Sequence, residues 1–299
     1  MKRKVIQLAR KTLVVSLPSK WAELYKIRKG DEVNVEAVSG AIIISTERDE
    51  SQGKKEIQLR ENQPFLKRYL RVLYQQGYNE VVIKSDESLP FDKINDALGE
   101  MLGFEIIENK EKYCLIKNIA KGSEEEFDVV FKRLFYVTLS MARDIASALK
   151  EGNLERLKQI KTTEKTVDKI ANFCARLLNT RPTGSESELQ RLHFAINTLE
   201  NVGDNLEEIC TLLEGKRLKV NQKELKLFEE TTEHLQTIGR LWFKTTAQEL
   251  TSAIRTRKTL LKIATDLMEE KTNTMFVHYL LSLLEKGQHL ELSLIPATL

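Results

Sequence analysis

The stretch Leu189 to Leu213, LQRLHFAINTLENVGDNLEEICTLL, decides how the larger part of this 299-residue chain is read. Leu189, Leu192, Ile196, Leu199, Gly203, Leu206, Cys210 and Leu213 recur at spacings of three and four, the seam of a helix packed against a neighbour. One position along runs a second line of the same period: His193, Asn197, Glu200, Asp204 and Glu207. Five polar groups therefore edge a face that must be buried. Upstream, Leu157, Ile160, Val167, Ala171, Cys174 and Leu178 form another stripe, with Glu164 on it and Asp168 four residues later. Two carboxylates four apart on one helix repel unless a positive charge sits between them. The two seams must face one another, so Glu164, Asp168, Glu200 and Asp204 are expected to converge between the two helices. A hard cation fits such oxygen ligands, Mg, Mn, Fe or Zn, divalent or trivalent. Salt bridges from Lys165, Lys169 or Arg143 are the alternative source of charge.

The helical pattern extends from residue 123 to 299. Ser123-x-x-Glu126, Ser185-x-x-Glu188 and Asn221-x-x-Glu224 read as helix starts. Breaks at Glu151-Gly152-Asn153, at Asn179 to Gly184 and at Lys271 to Thr274, with a division near Thr251-Ser252, give six helices. Within them, Thr163-Glu164-Lys165-Thr166-Val167-Asp168-Lys169-Ile170 and Leu199-Glu200-Asn201-Val202-Gly203-Asp204-Asn205 resemble the paired motifs of the PhoU family. That resemblance implies an all-α bundle of two three-helix repeats, a role in regulating phosphate uptake, and metal clusters held by glutamate and aspartate, here Glu164, Asp168, Glu200 and Asp204. The chain departs from the family in two places. Asn201 and Asn205 stand where an arginine and a histidine are usual. In the second repeat Lys262 precedes Asp266 where an acid is expected, and His289 takes an aspartate's place, so a second cluster is expected to be lost or weakened.

Residues 54 to 120 alternate between strand and helix periods and read as a small α/β domain. Glu56–Arg60 and Glu80–Lys84 are strand-like; Phe65, Leu66, Tyr69, Leu70, Leu73 and Tyr74 make a helical stripe ending at Gly77. A second helix spans Pro90 to Leu102, and Phe104–Glu108 with Tyr113–Lys117 form a hairpin. No Gly-rich phosphate loop or catalytic spacing occurs there, and its carboxylates look scattered on solvent faces. Linking or dimer support is expected, with a ligand-sensing pocket as the alternative.

The first 48 residues hold ten bases and five acids, net +5, while 49–120 net −2 and 121–299 are neutral. Such a basic end is drawn to anionic polymers. Its apolar runs, Val5–Leu8, Leu13–Leu17, Val33–Val35 and Ile42–Ile44, read as four strands, with a short helix after Pro18. So small a segment cannot cover Val14, Trp21, Val33 and Ile43 by itself, and dimerisation is expected. Lys11-Thr12-Leu13-Val14-Val15-Ser16-Leu17-Pro18-Ser19-Lys20-Trp21, then Tyr25-Lys26-Ile27-Arg28-Lys29-Gly30-Asp31-Glu32-Val33, resembles the SpoVT/AbrB swapped-hairpin DNA-binding domain. The resemblance implies that two chains interleave into one β-barrel whose basic residues contact DNA. Charge and location nominate Lys2, Arg3, Lys4, Arg10, Lys11 and Lys20.

The whole is thus expected to be a multi-domain α+β protein: a dimeric N-terminal barrel over 1–48, an α/β domain over 54–120 and a PhoU-like bundle over 123–299. Its longest uncharged run, Thr272–Leu284, is 13 residues, short of the roughly 20 that a bilayer crossing needs. The opening residues lack an apolar secretion signal. Three widely spaced cysteines, Cys114, Cys174 and Cys210, suit neither a disulfide framework nor a thiolate metal site, and a reduced cytoplasm is expected. Four scattered histidines supply no Glu-x-x-His pair of the di-iron kind and no triad, which disfavours an enzyme. The combination resembles archaeal phosphate-uptake regulators and implies a dimeric DNA-binding transcriptional regulator. The competing reading is an adaptor that restrains a phosphate transporter or a sensor kinase without touching DNA.

Overall fold

The computed structural model describes residues 2–8, 11–38, 41–45, 53–60, 65–120, 124–180, 185–216, 219–270 and 273–295. The chain divides into two compact units, Met1–Glu50 and Ser51–Leu299.

In the first unit β1 (Ile6–Leu8) and β2 (Thr12–Val14) pair antiparallel, α1 (Ser19–Leu24) follows Pro18, and β3 (Asn34–Val38) pairs antiparallel with β4 (Ala41–Ser45). The two hairpins form separate two-stranded sheets, and the described residues of one chain close no barrel. Among the side chains described in this unit none is buried; Leu8, Leu13, Leu24 and Ile42 are each more than 60% exposed. Val14, Trp21 and Val33 are half-covered, and the side chain of Ile43 lies outside the described residues.

The second unit opens with β5 (Lys54–Leu59), α2 (Leu66–Gln75), β6 (Glu80–Ser85), α3 (Phe91–Leu98), β7 (Phe104–Lys110) and β8 (Tyr113–Asn118). Their sheet has the order β5-β6-β8-β7, with β5 and β6 parallel and the other pairings antiparallel. Val81 and Ile83 of β6 and Cys114 and Ile116 of β8 point to a core shared with Leu70, Leu73, Tyr74 and Ile94 of the two helices. Phe65 and Tyr69 are exposed, so the stripe on α2 is narrower than its periodicity suggests. The second helix stops at Leu98, four residues early, because residues 99–103 fold into successive turns (Met101 N–H to Leu98 O, Phe104 N–H to Met101 O) that swing the chain into β7.

The bundle comprises α4 (Glu124–Glu151), α5 (Glu155–Lys161), α6 (Glu164–Asn179), α7 (Glu186–Lys216), α8 (Gln222–Phe243), α9 (Ala247–Glu269) and α10 (Thr274–Leu294). α4, α6 and α7 pack as one three-helix group and α8, α9 and α10 as another, joined through α4 with α8 and α7 with α10. Two sequence expectations are corrected. The second rod is broken at Thr162-Thr163, where i to i−3 bonds (Thr162 N–H to Gln159 O, Thr163 N–H to Ile160 O) interrupt the α-helical ladder. The fourth helix ends before Thr246, not near Thr251: Thr246 Oγ1 accepts the Glu249 N–H (3.2 Å) and donates to the Glu249 carboxylate (2.7 Å), a cap that needs neither Gly nor Pro. The expected cap at Ser123 and the hinge residues 181–184 lie outside the described residues. Asn221 and Glu224 do form a reciprocal capping box.

At Gly203 the absence of a side chain lets α7 approach α6; a Cβ there would lie 3.0 Å from Val167 Cγ1. This close crossing sits one residue from Asp168 on one helix and one from Asp204 on the other.

The α/β half is fixed to the bundle by one buried cation. Arg176, 4% exposed on α6, donates to Tyr74 O (2.8 Å), Tyr78 O (2.9 Å) and Asn79 Oδ1 (2.7 Å), and its guanidinium lies over the rings of Tyr74 and Phe104. Asn172 and Asn179 add bonds to Glu100 O and Gln75 O. Hydrogen bonds from a charged group contribute about 1.5–3 kcal/mol each, so Arg176→Met should destabilise the protein by at least about 3 kcal/mol. Calorimetry should then show the α/β half melting ahead of the helices; an unchanged single transition would mean that other contacts hold the halves together.

Candidate metal centre

The acids of the two helical motifs meet. Ligand oxygens of Glu164, Asp168 and Asp204 lie within 4.8 Å of one another in the crossing of α6 and α7. Asp168 is buried, Glu164 half-buried, and Asp204 stands at the exposed rim. One oxygen of Asp168, Oδ1, is buried without a hydrogen-bond partner. Glu200, one turn before Asp204, is half-buried beside them but is held by another group.

That group is Arg71, from α2. Its Nη1 donates to Glu200 Oε1 at 3.1 Å, its Nη2 donates to Glu100 Oε2 at 3.2 Å, and Nη2 lies 3.8 Å from Asp168 Oδ2. Lys67, one helical turn earlier, reaches Glu100 Oε1 at 2.6 Å. Neither Arg71 nor Glu100 was legible as part of this site in the sequence. Glu100, 9% exposed, corrects the expectation that the acids of the α/β half lie scattered in solvent. The counter-charge comes from Arg71 and not from the residues proposed on helical spacing; Arg143 instead lies over the Tyr136 ring. At the far rim Lys161 pairs with Glu207 (3.3 Å) and bonds Thr211 Oγ1, and His193 pairs with Asn179 Oδ1 at 2.9 Å.

Charge is left over in spite of Arg71. Burial, then the neighbouring Asp168, pushes the Glu164 carboxyl up to about 7. Burial and Asp168 do the same to Glu200, against the pull of Arg71, again to about 7. Asp168 and Asp204 are both raised, chiefly by desolvation, with Arg71 opposing. Carboxylates raised in this way are first desolvated and then repelled by one another, more than the cations beside them offset. Three hard oxygens in reach of one point, an unpartnered buried oxygen and a surplus of negative charge fit a divalent or trivalent cation.

The second repeat is built differently. Lys262 and Asp266 are exposed, while Arg257 Nε donates to the buried Glu291 at 2.9 Å and His234 Nε2 lies 3.3 Å from the same carboxylate. Among the described residues no second group of three metal-ligating side chains occurs.

In the N-terminal unit Lys2, Arg3, Lys4, Lys11 and Lys20 are all exposed, Lys11 in the turn between β1 and β2 and Lys20 on α1. Arg10 lies outside the described residues.

Residues 131–213 match the PhoU domain family, a span that contains Glu164, Asp168, Glu200 and Asp204. The match lies within the helical half and covers part of it. Residues 6–52 match the family described as antidote-toxin recognition MazE, bacterial antitoxin, so an AbrB/MazE-type domain precedes the PhoU domain. A crystal structure of a PhoU-like protein from Shewanella oneidensis MR-1 at 2.00 Å resolution is similar over 57% of this chain and 99% of that one, with 12% identity and a TM-score of 0.43. No curated protein matches the chain. Among the described residues no helix is long and apolar enough to cross a membrane.

The raised carboxyls set a pH dependence with a definite sign. Because Glu164 and Glu200 bind protons more tightly folded, near 7, than unfolded, near 4.5, their contribution is fully present below the unfolded value and is lost as pH rises through the folded one. The melting temperature of metal-free protein should therefore fall between about pH 5 and pH 8. A melting temperature that rises over this window would show that the two carboxylates are already fully compensated.

Proposed function

We propose that the chain is a dimeric DNA-binding transcriptional regulator of phosphate uptake, acting in the cytoplasm, whose helical half holds a cation. The observation that carries this reading is the joining in one chain of an AbrB/MazE-type domain over 6–52 and a PhoU domain over 131–213. In this reading residues 1–48 bind DNA and dimerise, 54–120 connect, and 123–299 sense.

The N-terminal unit supports a partner copy on physical grounds. Burying each Val, Leu or Ile contributes about 1.5–3 kcal/mol, and this unit leaves Val5, Ile6, Leu8, Leu13, Val15, Val35 and Ile42 exposed. A second copy whose hairpins interleave with these would cover them and complete the barrel that one chain does not close. It would also double the exposed bases, Lys2, Arg3, Lys4, Lys11 and Lys20 among them. Contacts with phosphate release counterions, so six to ten of them should reduce affinity roughly 10³–10⁵-fold between 50 and 200 mM salt. Replacing Arg3, Arg10 and Lys11 together with Ala should weaken binding to all sequences and flatten this dependence, measured by fluorescence anisotropy on duplex DNA, while the full chain sediments as a dimer. Undiminished affinity in the triple variant would favour the adaptor that restrains a transporter or sensor kinase.

In the bundle, Glu164, Asp168 and Asp204 are the residues that would hold the cation, with Glu200 adjacent. A bound metal would supply the positive charge that keeps these carboxyls deprotonated. Its removal by chelator should lower the melting temperature, since a ligand at 100 times its dissociation constant stabilises by about 2.7 kcal/mol. The double change Glu200→Gln with Asp204→Asn should abolish this chelator effect. A wild-type protein indifferent to chelator, with no metal by elemental analysis, would leave Arg71 and Lys286 as the counter-ions.

A further inference from the structure

The four acids of the two helical motifs do not all enter the cluster. Glu164, Asp168 and Asp204 do, but Glu200 is turned to Arg71, whose other amino group bonds Glu100 and lies 3.8 Å from Asp168. Arg71 comes from outside the bundle, 129 residues before Glu200 in sequence. Its helix cannot easily drift away, because Arg176, Asn172 and Asn179 fix the C-terminal end of α2 and the residues after it to α6. The guanidinium is thus delivered to the acids by a rigid element. Its fit is incomplete: Arg71 Nε is buried without a hydrogen-bond partner, as is Asp168 Oδ1, the oxygen not directed at Arg71.

We propose that Arg71 is a built-in competitor for the cation, holding Glu200 and one side of Asp168 in the metal-free protein and surrendering them when a divalent ion occupies the cluster. The proposal rests on the metal reading above and deepens it, by naming what regulates the site. Two cations a few ångströms apart repel, and both draw on the Asp168 carboxylate, so binding of one weakens the hold of the other. Released from Arg71, Glu200 would complete a set of four carboxylates around the ion. The middle of α2 would at the same time lose its Arg71 ion pairs to α6 and α7, so the α/β half registers whether the bundle is loaded. That gives residues 54–120 a part in sensing as well as in connection.

The test is calorimetric titration of the full chain with Mn²⁺ alone, comparing wild type with Arg71→Gln and Arg71→Lys. Competition requires Arg71→Gln to bind Mn²⁺ at least tenfold more tightly than wild type. Arg71→Lys, which keeps the charge but not the two-pronged grip, should fall between them. Equal or weaker binding in Arg71→Gln overturns the proposal while leaving the metal reading intact; no binding by any of the three proteins overturns both. Should Arg71→Gln fail to fold, wild type alone decides by hydrogen exchange. Saturating Mn²⁺ should then speed exchange of the amides of Leu66 to Val72 several-fold and leave those of α8 and α9 unchanged. Slower or unaltered exchange in α2 would refute the competition.

Discussion

Everything in the larger unit is arranged around a shortage of positive charge between two helices. Glu164, Asp168 and Asp204 gather at the crossing of α6 and α7, which Gly203 keeps close, with Asp168 buried there and Asp204 at the exposed rim. Like charges in such a place are tolerated only if something offsets them. The α/β half supplies a guanidinium, Arg71, and Lys286 of α10 acts on Asp204 from the other side. The same docking surface explains the second buried cation, Arg176, which satisfies carbonyls at the end of α2 and so fixes the helix that carries Arg71.

The apolar framework of this arrangement was open to reading in the sequence. Leu192, Ile196, Leu199, Leu206, Cys210 and Leu213 are all buried, as the seam of α7 requires, and the acids beside it lie where a period of 3.6 puts them. Strands β5 to β8 and helix α2 follow from alternation and from Gly77. What the sequence could not disclose is contact between distant segments. Arg71 and Glu100 look like ordinary surface charges on amphipathic helices; only the docking of α2 on α6 turns them inward. The helix boundary at Thr246 was hidden for another reason. Its signal is a hydroxyl and a glutamate three residues apart, a pair common in a chain so rich in both, and the eye looks for Gly or Pro instead.

The N-terminal unit poses the converse problem. Its strands occur where the short β-branched runs place them and its short helix follows Pro18, yet none of the side chains described in one copy is buried. A sequence can specify local structure completely and still leave the core to be supplied by another molecule. The exposed bases Lys2, Arg3, Lys4, Lys11 and Lys20 follow the same logic, because one copy presents few charges and a pair of copies presents a field.

The Arg176 bond set also constrains the order in which the chain can be made. Tyr74 and Tyr78 expose carbonyls whose donor lies 98 to 102 residues further along. During synthesis the α/β half emerges, pairs its strands and packs Tyr74 against Phe104, but it stays undocked until α6 has left the ribosome. At roughly 5–20 residues per second that interval lasts on the order of 5–20 seconds. For that time the surface that will later receive α6 stands open, with Glu100 and Arg71 facing each other across it. An arginine already paired within its own module is the safer form in which to wait, and it arrives at the bundle carrying its partner acid with it.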